Sequence, residues 1–599
     1  MPGRTDSGRR LLVLLVAFGL GASLLVTRLG YWQLVRHDDL VESAHRQIFY
    51  RADVPSQRGQ IYDRSGTIVL AASVSRDRLI VAADKLTPEQ QATMVEFLTA
   101  QLSLDATASG ALAARLQTGK PYLVIANDLA PETSTAIEAA AAAAGITGIS
   151  FESDSARSYP QAGGGPKSTL AAQLIGFVNR DGAGQYGVEQ YYQDVLAGEP
   201  KVVEADRDSN GQPLLETERT VEPGVPGQDI RLTIDAGLQL AVEQEVMAAR
   251  ISNHAKSVSA VVMDPWSGEI YAEASYPSYD ANDYVAAAND DPSVFVDPVV
   301  SHVYEPGSVF KMLTVLAGLE TGTTSLDRTY FDSGKMRLDD DKTVIKDSDR
   351  IAMGNMRLED AIAFSRNVVA AKVALGLAPT KREASKILQD VWTRLGIGSL
   401  TGIDVAGEAP GLVNDPASSG FSVADLANAS FGQGVAVTEV QLARAYAALV
   451  NGGTLVQPHV VAGIGAEAVS VAKPDPVFDP GLSPKLAGLM EHVLKSPWYA
   501  DISRTQGYWI GGKTGTAQVW DAHHNRWMDN RFNFTCVGFI GREKGHPDLV
   551  VVARISETSP SLPFASVDLF RRVATDAVTT PGMLPVLLPA GSTTAQAGG

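Results

Sequence analysis

A chain of 599 residues exceeds the roughly 250–300 at which a single hydrophobic core stops growing, so at least two domains are expected. Its composition, 45% hydrophobic and 20% charged, leaves little room for a long disordered region, and a net charge of -18 repels nucleic acid. The single cysteine, Cys536, excludes an intrachain disulfide framework and a multi-cysteine metal site; within the apolar run "FNFTCVGFIG" it reads as a small buried hydrophobe.

In chain order, residues 1–10 form a short N-terminus carrying Arg4, Arg9 and Arg10, and 11–30 an apolar span followed by Tyr31 and Trp32 as interfacial aromatics. The span offers only a poor small-x-small cleavage site, so an uncleaved anchor is expected, with the N-terminus inside and the bulk of the chain outside. Residues 31–232 read as a pedestal domain. In "YRADVPSQRGQIYDRSGTIVLA", Arg58-Gly59 and Ser65-Gly66 punctuate two strand patterns as a hairpin; alanine-rich helical patterns follow near 87–115 and 132–144, then the Gly/Pro loop "RSYPQAGGGPKS".

A second domain is placed at 233–579. It opens with a helix capped by Thr233 or Asp235, whose Leu238, Ala241, Val242 and Val246 share one face. "SAVVMDPWSGEIYAEASYP" reads as a hairpin, helical segments fill 308–321, 357–377, 380–396 and 422–451, and strands return at 507–519, 532–541 and 548–556. The fold class is therefore α+β: an anchor, a mixed pedestal, and an antiparallel sheet packed with helices, before a flexible tail at 580–599. His523-His524 in "WDAHHNRW" reads as a solvated turn with no acidic partner at ligand spacing, so no metal site is expected.

Three short motifs carry chemistry. Ser308-Val309-Phe310-Lys311 opens a long apolar helical run, whereas the second Ser-x-x-Lys, Ser470 to Lys473, runs into "PDPVFDP", which cannot continue a helix. Ser365-Arg366-Asn367 interrupts two helical patterns, and Lys513-Thr514-Gly515-Thr516 lies in strand pattern with glycines where a ligand backbone would approach. A serine hydroxyl needs a base, and a desolvated lysine near a second cation loses its proton readily enough to serve. Lys311 and Lys513 supply that pair; Ser365 can shuttle a proton to a leaving amine, and Asn367 can hold Lys311 and the substrate amide. The backbone N–H groups of Ser308 and Thr516 are candidates for an oxyanion hole, and Thr514 and Thr516 with Lys513 suit a carboxylate.

In this order the three motifs are the set associated with penicillin-binding proteins and serine β-lactamases. With "RGQIYDRSG", "RSYP", "GVEQYYQDVLAG", "DPWSGEIYAEAS", "TGIDVAGE" and "FGQGVAVTEVQLARAYAALVNGG", residues 10–575 resemble the class B penicillin-binding proteins, monofunctional D,D-transpeptidases of bacterial peptidoglycan synthesis. The resemblance implies an elongated pedestal of dimerisation type and a β-lactamase-like transpeptidase domain, with helices on both faces of its sheet and a helical subdomain. It also implies stem peptides ending in D-Ala-D-Ala and β-lactams as acyl donors, no cofactor, one span in the bacterial cytoplasmic membrane, and a SEDS-type glycan polymerase and other divisome membrane proteins as partners. "YEPGSVFK" and Phe431 in "SFGQGVAVT" lean towards the septal branch, with elongation as the alternative. A β-lactamase is disfavoured because no Glu-x-x-Leu-Asn loop is present, and a sensor or inactive scaffold because one span is visible and no motif residue is lost.

Overall fold

The computed structural model describes residues 7–39, 49–206, 217–338, 343–415, 422–521, 524, 526–559 and 564–580; the tail read at 580–599 lies, apart from its first residue, outside them, as do Arg4 and His523. Contacts divide the chain into two compact units, Met1–Gln57 with Ala197–Gly227, and Arg58–Leu196 with Gln228–Gly599. In the first, the helical run Gly8–Val35 is long and apolar enough to cross a membrane, and its apolar window is uncovered by protein. The same unit holds an antiparallel sheet of Phe49–Val54, Lys201–Asp206 and Arg219–Glu222.

The second unit crosses the boundary read at 232, and strand pairing is the reason. Ile61–Tyr62 pairs antiparallel with Val69–Val81 around the expected Ser65-Gly66 turn, and in parallel with Ile230–Leu232, which pairs in turn with Val461–Ile464. Arg58-Gly59 is not a turn. The alanine-rich patterns form helices Pro88–Gln101, Ala106–Leu116 and Pro131–Ala143, which cover Val69–Val81, Leu123–Leu129 and Ile149–Ser158 with a small core of their own. Thr87 and Asp105 cap the first two helices and set the break between them.

Three of the N-terminal motifs converge on one buried carboxylate. Glu189, 0% exposed, takes Arg58 at 2.6 Å on Oε2 and Arg157 at 2.7 Å on Oε1, and Tyr159 lies over it with its hydroxyl 3.4 Å from Oε1. Nearby, the Tyr192 hydroxyl donates to Asp404 of "TGIDVAGE", whose carboxylate accepts the backbone N–H groups of Val460 and Val461.

The larger sheet is the expected one, five antiparallel strands in the order Ile270–Tyr276, Ser257–Met263, Leu549–Thr558, Arg526–Gly541, Trp509–Asp521. Leu549–Thr558 is almost continuously buried because helices cover both of its faces. Asp235, rather than Thr233, caps helix Ala236–Asn253. The helix pattern at 422–451 divides into Val423–Ala429 and Glu439–Val450, since Gly432 and Gly434 take left-handed φ values of 78° and 72° between them. Two helices escaped the sequence reading, Ser483–Leu494 and Ala565–Thr579; in the second, Val567, Phe570, Val573, Ala574 and Ala577 mark the buried face at helical spacing. Arg526–Gly541 also starts earlier than expected, so "WDAHHNRW" is a hairpin tip, and His524 there does have an acidic partner, Asp521 at 2.6 Å.

Glu189→Gln leaves two guanidinium groups facing a neutral amide in a dry environment, where losing one member of a buried ion pair costs about 3–5 kcal/mol. The expected outcome is a clear fall in melting temperature, while the exposed Glu138→Gln melts like the parent; equal melting temperatures for both variants would show that the network carries no stability.

Candidate active site

The nucleophile motif is built on a tight turn. Gly307–Phe310 is a 3-10 turn that runs into helix Lys311–Glu320, and side chains three apart eclipse one another in 3-10 geometry. That places Lys311 Nζ 2.9 Å from Ser308 Oγ. Gly307 takes a φ of 63°, and a Cβ there would lie 2.7 Å from the Thr516 carbonyl oxygen, so only glycine fits. The Tyr446 hydroxyl donates to the Val309 carbonyl at 2.7 Å, fixing the turn from below, and Thr314 donates to the Ser430 carbonyl. Eight consecutive residues, Lys311 to Gly318, are buried, as an almost wholly apolar helix requires.

Ser365 sits between helices Leu358–Ala363 and Asn367–Leu375 with a left-handed φ of 56°, uncommon for a residue with a side chain. That conformation turns both its hydroxyl and its carbonyl to Lys311 Nζ, at 3.1 and 2.5 Å, and Asn367 Oδ1 completes the set at 2.8 Å. Asn367 donates its own amide N–H to the Lys346 carbonyl, which fixes the orientation of the side chain. Lys513 Nζ lies 3.1 Å from the same Ser365 hydroxyl and 3.0 Å from the Thr514 carbonyl. One serine therefore bridges two lysines.

Both lysines are 0% exposed. Burial, then the neighbouring Lys513 charge, holds Lys311 well below the ordinary lysine range, and burial brings Lys513 down to about 7. The hydrogen bonds agree with a neutral Lys311. Its neighbours include two groups that can only accept, the Ser365 carbonyl and Asn367 Oδ1; a neutral amine spends two N–H bonds there and turns its lone pair to the hydroxyls.

Arg366 and its partners were not recognised as part of this site, because the carboxylates that matter are scattered over 332–349 without periodicity. The guanidinium, 1% exposed, meets Asp332 at 2.9 Å, Asp347 at 3.2 Å and Asp349 at 2.8 Å. Asp347 also accepts the backbone N–H groups of Asn367 and Val368, capping a helix whose own N-cap side chain makes no such bond. Burial raises Asp347 to about 6.

Lys513 lies on Trp509–Asp521, the edge strand of the sheet. A Cβ on Gly515 would lie 2.4 Å from the Pro306 carbonyl oxygen, so the glycine admits the turn ahead of Ser308 rather than a ligand, correcting the sequence reading. The same packing sets the Ser308 turn against the Thr516 backbone and brings the two candidate oxyanion donors into one neighbourhood. Thr516 is exposed; Thr514 is buried, with its hydroxyl 3.0 Å from that of Tyr499. Cys536 pairs across the sheet from Thr514, fully buried, and burial pushes its thiol up. Ser470 and Lys473 lie in no helix or strand.

Comparison with known proteins follows the same division. The penicillin binding protein transpeptidase domain matches residues 258–566, and the penicillin-binding protein dimerisation domain residues 53–232. Stage V sporulation protein D of Bacillus subtilis is 29% identical over 93% of this chain and 83% of its own length. The peptidoglycan D,D-transpeptidase FtsI of Escherichia coli is 27% identical over 83% and 79%. The crystal structure of penicillin binding protein 2X from Streptococcus thermophilus shares the fold, with a TM-score of 0.72 over 89% of this chain and 81% of that one, at 22% identity. A dimerisation domain followed by a transpeptidase domain that alone takes in just over half of the residues places the chain in the family of class B penicillin-binding proteins.

Proposed function

We propose that this chain is a peptidoglycan D,D-transpeptidase in which Ser308 takes the acyl group of a stem peptide at its D-Ala-D-Ala bond and passes it to an amine of a neighbouring stem. The observation that carries the assignment of roles is the place of Lys311, dry, 2.9 Å from Ser308 and joined through Ser365 to Lys513. Lys311 takes the proton as Ser308 Oγ bonds to the carbonyl carbon. The Ser308 and Thr516 N–H groups hold the oxyanion of the tetrahedral intermediate, and the proton passes through Ser365 to the departing D-alanine amine. Lys513 with Thr514, Gly515 and Thr516 receives the terminal carboxylate, and Asn367 orients Lys311 and the substrate amide. The incoming amine reverses these steps. A β-lactam acylates the same hydroxyl, but its leaving nitrogen stays tethered.

The wording of "YEPGSVFK" and "SFGQGVAVT" supports a septal role beside a SEDS-type glycan polymerase, and the helical run Gly8–Val35 suits a single-pass anchor in the cytoplasmic membrane with the catalytic part outside. A fluorescent fusion in dividing cells separates this from elongation: enrichment at the septum supports it, and sidewall labelling overturns it.

Ser308→Ala abolishes covalent labelling by a fluorescent penicillin with the melting temperature kept; retained labelling sinks the assignment. Lys311→Arg keeps a charge that cannot be given up, so acylation falls by at least ~10²–10⁴-fold. The pH profile supplies a signed test. Acylation requires neutral Lys311, so its rate drops as pH falls through the Lys311 pKa. Removing a like charge with Lys513→Gln lets Lys311 keep its proton to higher pH, and the acid limb moves up, although burial, the larger cause, remains. An acid limb that stays in place would mean that another group is the base.

A further inference from the structure

Acyl transfer as described leaves unused a cavity of about 380 Å3 that starts three residues before Ser308. Glu305, Trp392, Asp425, Gln433, Gln518 and Trp527 are among the residues lining it. Glu305 Oε1 accepts the Gly434 N–H at 2.8 Å, while its Oε2 is buried with no partner. Trp392, 5% exposed, turns an indole N–H with no acceptor among the lining groups. The cavity thus holds a spare acceptor that bears charge, a spare donor, and a second carboxylate in Asp425. Among the described residues no lysine, arginine or histidine lines it. Burial raises the Glu305 carboxyl above its usual range, opposed by the Gly434 N–H, as expected of a carboxylate awaiting a counter-charge.

The sheet says what reaches this cavity. Trp509–Asp521 is an edge strand, open to an added strand, and Thr516 and Gln518 alternate onto one face of it. A stem peptide with its terminal carboxylate at Lys513 to Thr516 and its scissile carbonyl at Ser308 runs antiparallel to that strand, its earlier residues heading for Gln518. The residue before the acylated D-alanine then meets the cavity.

Resting on the acyl-transfer reading, we propose that the cavity binds the side chain of that preceding residue in the donor stem, that this side chain ends in a primary ammonium, and that Glu305 is its counter-ion. The same ammonium chemistry is offered by the acceptor stem, but acylation involves the donor alone, so the step at which a preference arises tells the two apart.

The test uses the full chain in detergent and two β-lactams of one nucleus, with acyl side chains ending in a primary ammonium or in its neutral N-acetyl form. Rates of Ser308 acylation are measured for wild type and Glu305→Gln, which keeps the acceptor for Gly434. The ammonium probe is expected to acylate wild type at least about fivefold faster, as a charge-assisted hydrogen bond in a partly dry site implies, and the ratio to fall towards one in Glu305→Gln. A wild-type ratio near one, with both probes on Ser308, overturns the proposal and leaves the transpeptidase reading standing. A ratio that survives Glu305→Gln overturns the assignment to Glu305, and a preference confined to transfer onto an added amine gives the ammonium to the acceptor. Failure of either probe to label wild-type Ser308 overturns the transpeptidase reading and this inference with it.

Discussion

A lysine amine with no access to water is the constraint on which the site depends. A charged lysine in a dry interior carries a desolvation penalty of several kcal/mol, whereas the neutral amine is tolerated if its N–H groups find acceptors. Around Lys311 those acceptors come from two places in the sequence, Ser308 in its own turn and the Ser365 to Asn367 segment, and the second buried amine, Lys513, comes from a third. The chemical competence of Ser308 is a by-product of this arrangement. What makes Lys311 a base is the same burial that makes it costly to keep as a cation.

The Ser365 to Asn367 segment earns its shape from charges that never touch Ser308. Three carboxylates converge on Arg366, and one of them, Asp347, holds the N–H groups that open the next helix. A left-handed serine persists only where its surroundings over-determine it, and here the neighbouring residue is pinned by three ion pairs. The glycines act in the same sense by subtraction: Gly307 and Gly515 let the serine turn and the edge strand approach until a Cβ on either would strike the backbone of the other. Side-chain chemistry at the site is thus set by backbone proximity.

A similar logic holds far from Ser308. Arg58, Arg157 and Tyr159 belong to sequence pieces about a hundred residues apart, and Glu189 gathers all three. Such a cluster specifies which strands lie together, since a shifted register would leave guanidinium groups buried without a counter-charge.

By itself the sequence determined the element types along most of the chain, because periodicity, caps and turn residues are local: the hairpin at 264–268, the break at Ser365 and the apolar helix beyond Lys311 were all legible. The identity of Ser308, Lys311, Ser365, Asn367 and Lys513 as a set was legible too, since each residue type has few chemical uses in that order. Local pattern misjudged 422–451, where two left-handed glycines interrupt an otherwise helical composition, and passed over Ala565–Thr579, whose arginines and aspartates mask its apolar face. Only the tertiary structure decided that residues 58–196 pack in one unit with the catalytic sheet, that Arg366 is the keystone of three carboxylates, and that Gly515 makes room for protein rather than ligand. The reason is common to all three: burial, ion pairing and backbone approach are relations between distant segments, and a one-dimensional pattern carries a residue's own preferences but not the identity of the neighbour that satisfies them.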